Sequence, residues 1–361
     1  MPLTELHIRN VRNIAESRLS LNPGVTLFSG VNGSGKTSLL EAIYLLGTGK
    51  SFRTHRTEKI IRRGEQESTV FGRISRQGGG EDCLGVKKGR SGLEIKKNQK
   101  PIANRSILAN SLPLVVVTPN SHNLLEGGPQ WRRRFVDWGV FHVEHDFGSR
   151  WNTFRRLLKQ RNALLARPEL ERAELEAWDA AFVTVVEEIS TLRQAYLESL
   201  KPYVELFLEA LGFEQGFEMT YQSGYSSASA FAEQLVQGFA RDKAVKRTEL
   251  GPHRADVRFS FDGVDVRQWI SRGQQKLLIY ALFLAQNRYL RQVTGKEAIL
   301  LLDDLSAELD EYRLHDLLSL LEKEFTQVLI TTANRDSLPK SFVDHVHLFH
   351  VEQGQVSSLD H

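Results

Sequence analysis

The sequence predicts an α/β core split in two by a helical segment. Three observations predict it. Near the N-terminus a glycine-rich loop, Gly30-Val31-Asn32-Gly33-Ser34-Gly35-Lys36-Thr37, stands between a strand-like run and a helix-like run. From Trp131 to Leu211 apolar residues recur at helical spacing almost throughout. From Thr248 onward, short apolar strands and amphipathic helices return. A chain of 361 residues is long for a single core. The expected division is 1–126 for the first half of the core, 127–247 for an inserted helical domain and 248–361 for the second half.

Taken in order, Leu3 to Val11 and Glu16 to Leu21 read as strands around the turn Arg9-Asn10-Val11-Arg12-Asn13. Val25 to Phe28 is a buried strand entering the glycine loop. Lys36 to Leu46 is a helix leaving it, with Leu39, Leu40, Ile43 and Leu46 on one face and Gly47 as its stop. Lys50-Ser51-Phe52-Arg53 opens a basic segment that runs to Arg63. Ser68 to Ser75, Cys83 to Lys87 and Gly92 to Lys96 alternate as antiparallel strands, and Leu112 to Val117 is a buried strand ended by Pro119. In the helical region Trp178, Phe182, Val185, Ile189, Leu192 and Tyr196 form one stripe, either packing a helical subdomain or lining a short protruding arm. Pro202 is expected to kink or split that helix, and Gly212 to cap it. Val257 to Phe261, Ala298 to Leu302, Gln327 to Thr331 and Val346 to Val351 then read as strands, with helices from Gly273 and from Tyr312 to Phe325.

Composition excludes several classes. Hydrophobic content of 41% and charged content of 25% describe an ordinary globular chain. A single cysteine, Cys83, excludes an intrachain disulfide and a cysteine metal site, and suits a reducing cytosol. The first residues lack the basic-then-apolar layout of a secretory leader, and no apolar run approaches the ~20 residues of a membrane helix. A net charge of +3 permits a polyanionic partner.

The loop fits G-x-x-x-x-G-K-[ST], whose spelling follows from its chemistry. Glycines let successive backbone N–H groups point at phosphate oxygens, and the helix that follows adds its free N–H groups and positive dipole end. Lys36 reaches the β- and γ-phosphates and the Thr37 hydroxyl holds Mg²⁺, so the loop implies ATP or a close relative. Ile299-Leu300-Leu301-Leu302-Asp303-Asp304 is an apolar strand ending in two carboxylates. If that strand is parallel to the one before the loop, Asp303 faces Thr37 across the metal. Asp304 either orients the attacking water or simply begins the next turn. Ser271-Arg272-Gly273-Gln274-Gln275 opens an amphipathic helix: a hydroxyl, a glycine and a helix N-terminus make an anion site or a plain cap.

Placed shortly before the Asp303 strand, this element resembles the signature loop of ABC-type ATPases, and Ser306-Ala307-Glu308-Leu309-Asp310 resembles their D-loop. Together with Gly49-Lys50-Ser51-Phe52-Arg53 and Gly251-Pro252-His253-Arg254, these stretches make the whole chain similar to the RecF family, bacterial recombination mediators related to SMC proteins. The resemblance implies an ABC-type P-loop ATPase head, with a mixed sheet, antiparallel strands and an inserted helical domain. It implies ATP and Mg²⁺ as cofactors, and contact of Ser271, Gly273 and Gln274 with the nucleotide held by a second copy. It further implies an ATP-dependent homodimer, DNA binding at gaps and single-strand/double-strand junctions, work with RecR and RecO in loading recombinase, and a cytoplasmic location. The chain departs from the pattern in four places. Ala255 replaces an expected Asp. Asp304, one methylene shorter, replaces the usual Glu, which implies slow hydrolysis, and the resemblance implies a weak, DNA-dependent ATPase. No histidine follows Thr331-Thr332, leaving part of its role to Thr332. No glutamine stands in Thr118-Pro119-Asn120.

Candidate DNA contacts are Arg53, Arg56, Lys59, Arg62 and Arg63; Arg132, Arg133 and Arg134; and Lys87, Lys88, Lys96, Lys97 and Lys100. Arg53 is alternatively a nucleotide contact, while His253 and Arg254 are expected to brace the joint between lobes. Two other readings stay open. One is the nucleotide-binding subunit of a transporter, in which the signature loop follows the phosphate loop much sooner. The other is a scaffold that binds ATP without hydrolysing it.

Overall fold

A computed structural model describes residues 2–359 apart from 55, 77, 91, 215, 227–229 and 306–310. In chain order it contains β1 (Leu3–Val11), β2 (Ile14–Ser20), β3 (Gly24–Ser29), α1 (Lys36–Thr48), β4 (Glu67–Ser75), β5 (Glu81–Gly89), β6 (Gly92–Lys97), β7 (Lys100–Pro101), α2 (Ser106–Ser111) and β8 (Leu114–Val117). The central elements are α3 (Asn123–Glu126), α4 (Pro129–Val143), α5 (Phe147–Leu165), α6 (Arg172–Ala210), β9 (Phe217–Gln222), α7 (Phe231–Gln237), α8 (Phe239–Val245), β10 (Asp256–Phe261), β11 (Val264–Asp265), α9 (Val266–Trp269) and α10 (Arg272–Thr294). The chain then continues through β12 (Ile299–Leu302), α11 (Glu311–Glu324), β13 (Gln327–Thr332), α12 (Lys340–Val343), β14 (His347–Glu352) and β15 (Gln355–Ser358). It divides into two compact units: Met1–Ser121 with Thr294–His361, and His122–Val293. Among the described residues no helix is long and apolar enough to cross a membrane.

The first unit is built from two six-stranded sheets. One is antiparallel, in the order β2-β1-β4-β5-β6-β7. The other runs β15-β14-β3-β13-β12-β8, parallel from β14 to β8 with β15 added antiparallel at the edge. In β4, Ser68, Val70, Gly72 and Ile74 are buried with exposed or half-buried residues between them, as a sheet covered on one face requires. β12 and β13 are buried at every position, as strands covered on both faces must be. Between the sheets lies α1, whose Leu39, Leu40, Ala42, Ile43, Leu45 and Leu46 join one core cluster with residues of both. A helix enclosed in this way can be apolar nearly all round.

The end of α1 corrects the sequence expectation. The helix runs past Gly47 to Thr48, and Gly49 caps it at φ 65°, its N–H donating to the Leu45 carbonyl at 2.8 Å. Gly47 answers a different need. A Cβ there would lie 2.5 Å from Leu114 Cδ1 and 2.9 Å from the Leu112 carbonyl oxygen. Gly47→Ala therefore overpacks the contact between α1 and β8 and is expected to cost ~1–3 kcal/mol, read as a lower urea midpoint at unchanged slope.

In the second unit α6 is one helix of 39 residues that continues through Pro202. Of the two outcomes expected at Pro202, a kink or a split, the split does not occur. Beyond the proline, Val204, Phe207 and Leu208 are buried, and that packing offsets the lost hydrogen bond. Its end follows the expectation in detail. Gly212 at φ 77° donates to Glu209 and Phe213 donates to Leu208, which is a Schellman closure. Of the stripe, Phe182, Val185, Ile189 and Tyr196 are buried, and α6 packs on α4, α5 and β9 within the unit, so the stripe builds a subdomain core rather than a protruding arm. β9 pairs antiparallel with β10 along its whole length. This pairing carries 248–293 into the second unit, so the chain returns to the first unit at Thr294 rather than at 248.

Candidate nucleotide site

β3 delivers the chain to the glycine loop and α1 takes it away. The register β3–β13–β12 is parallel, with Thr332 opposite Ser29 and Leu302 opposite Ile330. The loop and the carboxylates after β12 therefore emerge at the same end of the same sheet. Two glycines are sterically required. A Cβ on Gly30 would lie 2.1 Å from the Val351 carbonyl oxygen, and Gly35, at φ 122°, turns the chain into α1 against the Asn13 side chain. Asn13 Nδ2 donates to the Ser34 carbonyl at 3.1 Å and Gly354 N–H donates to it at 2.7 Å, holding the loop from outside.

Lys36 is 7% exposed. Its ammonium donates to the Gly30 carbonyl at 2.6 Å and the Val31 carbonyl at 3.0 Å, leaving one of three protons for a ligand. Burial pulls its pKa down, and the nearby charges of Asp304 and Asp303 act against that pull. Ser34 Oγ is buried without a hydrogen-bond partner. Val31, Asn32 and Gly33 are exposed.

Thr37 Oγ1 donates to Asp303 Oδ1 at 2.8 Å. Thr331 Oγ1, from the strand between, donates to the same oxygen at 3.0 Å and accepts the Asp304 N–H at 2.8 Å. Burial holds the Asp303 carboxyl above the ordinary carboxylate range. The two threonine hydrogen bonds and the Arg53 guanidinium work in the opposite sense, and the Asp304 charge adds to the rise. Asp304 is exposed and left-handed, at φ 59°, which re-aims its side chain directly after the strand. Thr332 is turned away, donating to the Asn334 carbonyl at 3.0 Å, so Thr331 and not Thr332 serves this corner. The sequence reading also missed Glu41, a wholly buried carboxylate that accepts both Arg12 Nε and Nη2. An acidic residue in the middle of an apolar helical face was the available signal.

Ser271, Gly273 and Gln274 stand on the second unit at the start of α10. Ser271 Oγ accepts Gln274 N–H at 3.3 Å and Gln274 Oε1 accepts Ser271 N–H at 2.9 Å, a reciprocal cap. Ser271 and Arg272 are exposed, and a Cβ on Gly273 would meet open space. Ser306 to Asp310 lie outside the described residues.

Several basic candidates are spent on structure. Arg132 is buried, bonded to Asp256 at 2.7 and 2.9 Å and to the Gly127 carbonyl at 2.8 Å, and so is withdrawn as a DNA contact. Arg133 donates to the Ala255 carbonyl at 2.7 Å. Lys87 pairs with Glu67 and Lys97 with Asp82. Arg56, Lys59, Arg62 and Arg63 are exposed. The partners of His253 and Arg254 lie inside the second unit: His253 meets the Thr248 carbonyl at 3.0 Å and the Phe154 ring, and Arg254 pairs with Glu249. Burial lowers the His253 pKa.

Residues 2–357 match the family described as RecF/RecN/SMC N terminal domain. The chain is 39% identical over 358 residues to the "DNA replication and repair protein RecF" of Edwardsiella ictaluri, covering 99% of this chain and all of that one. It is equally identical to the protein of the same name from Cellvibrio japonicus, over 99% of both. A solved structure described as the recombination mediator protein RecF-ATP in the RecFOR pathway superposes with a TM-score of 0.89 at 26% identity, covering 99% and 97% of the two chains. An Smc head bound to the C-winged helix domain of ScpA shares the fold, with a TM-score of 0.59 at 14% identity over 99% of this chain and 98% of that one. The fold is that of an ABC-type ATPase head, and the chain belongs to the RecF family.

Proposed function

We propose that this chain is an ATP-dependent DNA-binding protein of recombinational repair and replication restart, hydrolysing ATP slowly. The observation that carries the reading is the Thr37–Asp303 hydrogen bond, made at one end of the parallel sheet between the start of α1 and the residue after β12, beside a buried lysine with a free proton. The unpartnered Ser34 hydroxyl and the N-terminus of α1 fit a triphosphate. Thr37 and Asp303 are hard oxygen donors suited to Mg²⁺. Among the described residues no group of three or more acidic, His or Cys side chains forms a cation cage, and a Mg²⁺ held by Thr37 and Asp303 would take its further oxygen ligands from phosphate and water. When bound, magnesium triphosphate supplies the γ-phosphoryl group that water attacks.

In this reading Lys36 neutralises phosphate charge and Thr331 orients Asp303 while fixing the Asp304 backbone. Asp304 positions the water less closely than a longer Glu would, so hydrolysis acts as a timer. Ser271, Gly273 and Gln274 of a second copy close over the nucleotide, and the stretch from Thr294 onward completes the catalytic core begun in the N-terminal segment. Arg56, Lys59, Arg62 and Arg63 contact the DNA backbone at gaps and junctions. RecR and RecO are the partners, in keeping with the RecFOR pathway named for the solved structure, and the cytoplasm is the setting that the family resemblance implies. The family match along residues 2–357 argues against a transporter subunit. A non-hydrolysing scaffold is the second reading, and phosphate release separates the two.

Asp304→Asn with ATP is expected to sediment as a stable dimer and to retain gapped duplex. DNA affinity should fall about tenfold or more between 50 and 200 mM salt. A monomer at saturating ATP overturns the reading that a second copy closes over the nucleotide.

A further inference from the structure

Glu41 lies on α1 with no exposed surface. A buried carboxylate is costly unless its charge and lone pairs are met. Arg12 meets it with two bonds, Nε to Oε2 at 2.7 Å and Nη2 to Oε1 at 2.8 Å, which already balances the charge. Two further groups converge there. The Ser51 hydroxyl donates to Glu41 Oε1, while Ser51 Oγ itself accepts the backbone N–H of Arg53 at 2.9 Å and of Thr54 at 3.0 Å. The Arg53 guanidinium stands 3.8 Å from Glu41 Oε2, within ion-pair range but beyond hydrogen-bond range, with its side chain 45% exposed. Arg53 also acts electrostatically on Asp303, the carboxylate bonded to Thr37.

We propose that Glu41 is a positioning residue for ATP hydrolysis. Through Ser51 it fixes the turn that carries Arg53, and through its charge it holds the guanidinium at 3.8 Å, from where the Arg53 charge acts on Asp303. The inference rests on the reading that the glycine loop holds ATP. Arg53 then presents donors to the charge that develops on the γ-phosphoryl group, and Glu41 supplies preorganisation without touching the nucleotide. A purely structural Glu41 would only tie α1 to the turn between β1 and β2 through Arg12.

Glu41→Gln keeps size and an acceptor while removing the charge. On the full chain with DNA, ATP affinity measured with a fluorescent ATP analogue is expected to stay within about threefold, while kcat from phosphate release falls roughly tenfold. Adding Glu41→Gln to Arg53→Ala should give no further fall in kcat, because both act through one group. Additive losses, or an unchanged kcat, overturn the proposal. Ser51→Ala leaves the Arg12 pair in place and guards against a Glu41 variant that fails to fold. It should show the same kcat loss with a melting temperature near that of the wild type, and a wild-type kcat would overturn the route through Ser51. Wild-type protein that binds no ATP would overturn the functional reading itself, before any variant is compared.

Discussion

Lys36→Met is expected to raise the dissociation constant for ATP by roughly a hundredfold or more. The ammonium has one proton free in the nucleotide-free protein, and its two carbonyl bonds can be exchanged for phosphate oxygens. A hydrogen bond to a charged group contributes about 1.5–3 kcal/mol, so losing one or two of them at a doubly anionic γ-phosphate spans that range. The same burial that lowers the lysine pKa raises the strength of each contact it makes. Methionine keeps the length of the side chain, so the packing of α1 is little disturbed. It does leave the buried Gly30 carbonyl without its donor, which should lower the melting temperature of the free protein by an amount equivalent to about 1–3 kcal/mol. Isothermal titration and thermal unfolding with and without ATP separate the two effects. Affinity within threefold of wild type would remove Lys36 from the site.

How much of this was legible beforehand depends on the range of the information. The strand, loop and helix from Val25 to Thr48 are written in one local pattern, and Gly30 and Gly35 stand where backbone geometry demands them. Ile299–Leu302 was legible because a strand covered on both faces must be apolar at every position. Thr331 was not legible in preference to Thr332. Successive residues of a strand face opposite sides, and only the order β3-β13-β12 says which side carries Asp303. Arg132 looked like surface charge because its partner, Asp256, is distant in the chain. β9 was hidden by its alternation of polar residues, and its pairing with β10 moved a domain boundary. Gly47 and Gly49 are alike in sequence, and the position of β8 decides that one gives room and the other a turn.

Asp303→Asn is expected to abolish measurable hydrolysis and, in the absence of nucleotide, to make the protein more stable at neutral pH. The two outcomes share a cause. Burial holds the carboxyl above its ordinary value of 3.8, so the folded state disfavours the ionised form. For an acid shifted in this direction, the stability contribution is fully present below the unfolded pKa and is lost as pH rises through the folded one. At neutral pH the carboxylate is therefore a cost that the free protein carries. Asparagine keeps the oxygen that accepts from Thr37 at 2.8 Å and Thr331 at 3.0 Å, and has no charge to desolvate. The difference in melting temperature between variant and wild type should accordingly be smallest near pH 4 and widen toward pH 7. Adding ATP and Mg²⁺ should reverse the order, because a cation repays the charge in the wild type and finds only a neutral amide in the variant. A variant less stable than wild type at pH 7 without nucleotide would mean that the carboxylate is held by its threonines more strongly than burial penalises it. The burial cost assigned to the Asp303 carboxylate would then be absent, and with it the physical reason for expecting a cation to reverse the order of stability.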